Sequence, residues 1–215
     1  MEHILDLYRQ EADPERPLIC FDEKPMQITG STREDTGSTR EEVSMKPGKP
    51  KRVDYEYERH GTQNLFMFFA PFQGWRHVGV RPRRRKVDFA EEIRSILETY
   101  FPEAEKIRLV CDNLNTHVAG SFYERYEPET ARKLARTVDF HYTPTNGSWL
   151  NIAEIELAAF EKQCLGRRFE GVEALNEEIA ALEAERNERG ADVDWRPATE
   201  DARIKLKRLY PSIDV

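Results

Sequence analysis

Two short apolar runs, each closed by an aspartate, constrain this chain most: "LICFD" (Leu18–Asp22) and "RLVCD" (Arg108–Asp112). Short continuous apolar runs without polar alternation read as strands covered on both faces. The first is expected to stop at the charges and proline of "DEKP". "NLFMFFAPF" and "WRHVGVRP", joined near Gly74, read as a hairpin. "DFAEEIRSILETYFP" sets Phe89, Ile93, Ile96 and Leu97 at helical spacing, with Asp88 as N-cap and Pro102 beyond the end. A charged helical stretch leads to a third strand, "VDFHYTP", after which Ser148 is expected to cap a helix. "VEALNEEIAALEAERNER" carries a stripe at Val172, Leu175, Ile179 and Leu182 and reads as a surface helix. Strand, hairpin, helix, strand, helix, strand, helix, helix is the order of an α/β fold, a mixed sheet flanked by helices.

The chain of 215 residues is long enough for one substantial core. Between the first strand and the hairpin, "TGSTREDTGSTREEVSMKPGKPKR" has almost nothing to bury, so a mobile loop is expected over about 31–52. No apolar run approaches the roughly 20 residues that span a bilayer, and "MEHILDLYRQEADPERP" lacks the apolar segment of a signal peptide. Cys20, Cys111 and Cys164 are odd in number and far apart, which suits buried inert thiols in a reducing cytoplasm. A net charge of −7 disfavours a nucleic-acid partner on average, but the basic residues are clustered. Arg81, Arg83, Arg84, Arg85 and Lys86 form one cluster, Lys205, Lys207 and Arg208 another, and "KPGKPKR" a third. Each could hold backbone phosphates; a solvated surface explains any one of them equally well.

Carboxylates in apolar surroundings are the candidate chemistry. Asp22 and Asp112 each end a buried strand, and in open α/β sheets ligand sites gather beyond the carboxyl ends of strands. Alone, either could be a turn or cap acid; as a close pair they would repel, and a divalent cation relieves that repulsion. "SWLNIAEIELAAFEKQC" offers Glu154, Glu156 and Glu161. At about 100° per residue, Glu154 and Glu161 share a face and Glu156 lies about 200° round from Glu154. Glu154, nearest the helix start, is the third candidate, and Glu156 is expected to face solvent or a partner. Two aspartates and a glutamate offer oxygen donors only, which suit Mg²⁺ or Mn²⁺. Asn113, His117 and Asn151 are candidates to orient these acids, although turns and caps explain them as well. His141 reads as structural, and Trp149 as a core anchor.

"CFDEKPMQ", "RVDYEYERHGTQNLFMF", "IRLVCDNLNTH", "HYTPTNGSWLNIAEIEL" and "DARIKLKRLYP" closely resemble bacterial insertion-sequence transposases of the six-thirty type, related to the mariner superfamily. The resemblance runs from about Leu18 to Pro211. It implies a ribonuclease H-like fold whose acid triad maps onto Asp22, Asp112 and Glu154. It also implies metal-dependent hydrolysis and strand transfer at transposon ends, DNA as partner, and a homodimer that pairs two ends. The expected organisation is a single DDE catalytic domain over 1–215 with a helical extension from about 172. The helix-turn-helix reader usual in such transposases has no room ahead of the first strand, and Thr145 and Asn146 stand where many relatives carry a basic residue and a histidine. The alternatives are a regulatory fragment that binds DNA or a transposase without cutting, a ribonuclease H-like nuclease on other substrates, and an interaction module in which the acids cap helices.

Overall fold

The computed structural model describes residues 1–31, 57–145 and 147–190. Helix α1 (Glu2–Arg9) precedes β1 (Leu18–Ser31), which pairs with the hairpin β2 (Tyr57–Ala70) and β3 (Trp75–Arg81). Helix α2 (Lys86–Ser95) leads to β4 (Ile107–Cys111). Helices α3 (Gly120–Arg125) and α4 (Pro128–Thr137) then lead to β5 (Val138–Tyr142). Helices α5 (Ala153–Phe160) and α6 (Val172–Glu188) complete the described chain. The five strands lie in the order β3-β2-β1-β4-β5. β2 runs antiparallel to both β1 and β3, whereas β4 and β5 run parallel to β1. This is the mixed sheet flanked by helices that the pattern predicts, and it is consistent with a ribonuclease H-like fold.

Side chains of β1 alternate between two cores, as the two-residue period of a strand requires. Leu18 and Cys20 join Val110 and the apolar faces of α1, α5 and α6. Ile19 and Phe21 face the other way, into Phe66, Phe68, Leu109 and Cys111 beneath α2, α3 and α4. Continuous apolar runs are what a strand buried on both faces needs.

Several local expectations are corrected. β1 does not stop at "DEKP" but runs on to Ser31, with Pro25 opposite Asn64. Pairing with β4 covers only Leu18 to Cys20, so Pro25 lies where β1 has β2 as its partner and the missing N–H costs no ladder bond. Asp88 caps α2 from its third position: its carboxylate accepts the Arg85 N–H at 2.8 Å. The side chain at the start of α5 is Asn151, not Ser148, which begins a separate short turn (Ser148–Leu150). Trp149 is 37% exposed rather than a core anchor. The loop expected at 31–52 and the extension beyond 190, with Lys205, Lys207 and Arg208, fall almost wholly outside the described residues. No helix among the described residues is long and apolar enough to cross a membrane.

Candidate active site

Asp22 lies on β1 two residues beyond Cys20, and Asp112 follows Cys111 at the end of β4. Cys20 is in register with Val110, so the two acids continue one parallel pair of strands on one face of the sheet. Helix α5 packs on that same face through Ala153, Leu157 and Phe160, with Glu154 at its start. The three acids therefore come from three elements and share a side of the sheet.

β1 and β4 part after Cys20 and Val110, which leaves the Phe21 carbonyl without a neighbouring strand on that edge. Asn151 takes it: Nδ2 donates to the Phe21 oxygen at 2.7 Å, and Oδ1 accepts the Ala153 N–H at 3.3 Å. One buried amide thus binds the first turn of α5 to the strand beside Asp22. A buried amide left half satisfied would be costly, so its two bonds lock Glu154's helix in place.

Electrostatics report the same convergence. Burial pushes the Asp22 carboxyl up to about 6; the Glu23 backbone N–H pulls against this, and Glu154, Asp112 and Glu23 add to the rise. The strongest influences on Asp22 thus include three acids and no cation. This is the negative field that a divalent cation would neutralise, and oxygen donors are the right type for a hard ion. Among the described residues, however, no three His, Cys, Asp or Glu side chains are gathered closely enough to hold a metal ion. The acids face one region without closing into a cage.

His117 bridges β1 and the end of β4. Its Nδ1 lies 2.6 Å from Asp112 Oδ1 and its Nε2 lies 3.1 Å from Glu23 Oε1. A neutral imidazole carries one N–H, so two carboxylates opposite its nitrogens call for a second proton on the ring or on a carboxyl. Burial works against the imidazolium, but the Glu23 bond and charge, followed by Asp112, outweigh it and raise the His117 pKa. Sequence reasoning reached His117 but missed Glu23. The available signal was the two-residue period, which turns Glu23 to the opposite face from Asp22, into the Phe21 core.

Other candidates resolve differently. Glu156, expected to face solvent or a partner, is 1% exposed. Its carboxylate accepts from Arg186 Nη2 at 2.8 Å and lies 3.1 Å from Arg76 Nε, tying α5 to α6 and β3. Glu161 pairs with Lys24 at 2.7 Å. His141 Nδ1 sits 2.8 Å from His3 Nε2 and its Nε2 lies 3.4 Å from Asp139. Asn113 is exposed. In the first basic cluster, Arg81 bridges to Glu91 and Glu92, Arg85 to Asp88 and Lys86 to Glu124, whereas Arg83 and Arg84 are exposed. Cys20, Cys111 and Cys164 are free and buried, and burial raises all three thiols, Cys20 to about 12.

A mixed sheet with acids on β1, just past β4 and on the covering helix α5 is consistent with a ribonuclease H-like fold. The family described as DDE superfamily endonuclease matches residues 17–176, and the chain belongs to that family. None of the curated proteins matches it. Among solved structures, the Mos1 mariner paired end complex with Mn is similar, with 18% identity and a TM-score of 0.56, over 88% of this chain and 55% of that one. The Mos1 strand transfer complex gives 18% identity and a TM-score of 0.57, over 88% and 54%. A pre-cleavage Mos1 transpososome gives 16% and 0.55, over 88% and 55%. At such identity the likeness shows the fold, and the chain spans about half the length of those proteins.

Proposed function

We propose that this chain is the catalytic domain of a bacterial insertion-sequence transposase of mariner type. It would cut DNA phosphodiesters at element ends and join the freed 3′-hydroxyl to target DNA. The observation that carries the reading is the placement of Asp22, Asp112 and Glu154, three acids from three elements, on one side of the sheet. Asp22 and Asp112 would share Mg²⁺ or Mn²⁺, and Glu154 would complete a second cation position. When bound, such ions stabilise charge on the phosphoryl oxygens and favour deprotonation of the attacking water or hydroxyl. The chain's own residues hold the donors: Asn151 fixes the start of α5 against β1, and His117 holds Asp112.

Exposed Arg83 and Arg84 are the first candidates to meet DNA phosphates, with Lys205, Lys207 and Arg208 as further ones. Arg81, Arg85 and Lys86 would first have to leave their acidic partners, which makes binding salt-sensitive and weakly selective. Pairing two element ends implies a homodimer, and the expected location is the bacterial cytoplasm, on the nucleoid. A fragment that binds without cutting is the second reading, favoured by the open spacing of the acids. Nicking of supercoiled plasmid separates the two. The proposal expects Mn²⁺-dependent nicking that Asp112→Asn and Glu154→Gln each reduce by about 100-fold or more with the fold kept. A folded wild type that never nicks, in Mg²⁺ or Mn²⁺, refutes it in favour of the second reading.

A further inference from the structure

Glu23 is a buried carboxylate that the proposed chemistry does not use. It follows Asp22 on β1, points to the opposite face, and its side chain is 4% exposed. A carboxylate so deeply buried is expensive unless it is bonded. Oε1 faces His117 Nε2 at 3.1 Å, while Oε2 is buried without a hydrogen-bond partner among the described residues. Apolar side chains in place of Glu23 and His117 together would fill this position at no greater cost, so a stabilising role does not account for the pair.

The histidine it meets is held on every side. Its side chain is 1% exposed, with the Phe21 ring edge-on at 4.9 Å and the Phe89 ring at 5.1 Å. Its N–H donates to the Leu114 carbonyl at 3.1 Å, and its own carbonyl accepts from the Tyr142 hydroxyl at 2.9 Å. From this fixed ring, Nδ1 reaches Asp112 Oδ1 at 2.6 Å. Asp112 needs the support: it stands just past the end of β4 with a side chain 42% exposed, where its carboxylate would otherwise sample several rotamers. The bond engages one oxygen and leaves the other for a ligand.

We infer that Glu23 and His117 are a positioning pair, built into the far face of the sheet, that presents the Asp112 carboxylate to a divalent cation shared with Asp22. The inference rests on the proposed function. Its physical content is that two consecutive residues of β1 serve both acids: Asp22 directly, and Asp112 through Glu23 and the ring. The carboxylate–imidazole–carboxylate line joins β1 to the residue that follows β4, where the two strands have parted.

Mn²⁺ binding without DNA, followed by calorimetry, tests this apart from catalysis. Glu23→Leu should weaken Mn²⁺ binding of the folded protein about tenfold or more, the range seen when groups supporting a ligand are removed. Glu23→Gln, which keeps an acceptor for Nε2, should lie between it and the wild type. His117→Leu should cost as much as Glu23→Leu, and the double variant little more, because both act along one line. If Glu23→Leu does not fold, His117→Gln is read in the same way. A folded Glu23→Leu, or in its place His117→Gln, that binds Mn²⁺ within twofold of wild type overturns the pairing alone, provided Asp22→Asn abolishes binding. A wild type that binds no Mn²⁺ overturns the pairing and the proposed function together.

Discussion

Replacing Asp22 by asparagine should make the protein more stable while removing its chemistry. An aspartate in an unfolded chain titrates near about 3.9. In the fold, burial and the acids Glu154, Asp112 and Glu23 push Asp22 up to about 6. The folded state therefore holds this proton more tightly than the unfolded state. Below about pH 4 both states carry it and there is no penalty; from about pH 4 to 6 stability falls as pH rises; above about 6 the penalty is complete. A rise of about two units corresponds to about 3 kcal/mol at most, and the partial exposure of Asp22 reduces this to about 1–3 kcal/mol. Asparagine keeps the shape and the Oδ1 acceptor that takes the Glu23 N–H at 2.9 Å, and deletes only the charge. Urea unfolding in EDTA at pH 7.5 should show Asp22→Asn more stable by about 1–3 kcal/mol, roughly 2–12 °C in Tm for a chain of this length. The gain should vanish towards pH 4, and Mn²⁺ should raise the Tm of the wild type but not of the variant. A variant no more stable at pH 7.5, or a gain independent of pH, refutes the reasoning.

Two further substitutions test the framework of the site. Asn151→Leu deprives the Phe21 carbonyl and the Ala153 N–H of a partner, and should lower stability by about 1–3 kcal/mol in urea while reducing nicking further than that loss explains. Glu156→Gln leaves two guanidinium groups, one of them on the fully buried Arg76, without their carboxylate; it should cost about 3–5 kcal/mol, and a loss below about 1 kcal/mol would show the network to be incidental.

The existence of the strands and the shared side of the three acids were legible because their signals are local. "LICFD" and "RLVCD" state burial on both faces, and helix phase separates Glu154 from Glu156. What phase could not supply was depth. Glu156 lies on the side of α5 away from Glu154, and only the packing of α6 and β3 turns that side into interior, with Arg76 and Arg186 waiting there. Pro25 misled for a similar reason: a proline ends a central strand, but β1 has already lost β4 as a neighbour at that point, a fact of topology and not of local sequence. The cap assigned to Ser148 belongs to Asn151 because the residue that satisfies the helix start also has to satisfy the Phe21 carbonyl, which lies 130 positions earlier in the chain. Glu23 and His117 likewise meet across 94 positions.

The most direct test of the central claim is anomalous scattering from crystals of the wild-type protein soaked in Mn²⁺. The account predicts manganese within coordination distance of the carboxylates of residues 22, 112 and 154, with those side chains drawn together around it. Manganese bound elsewhere, or none at full soaking, with the three carboxylates still apart, would contradict it.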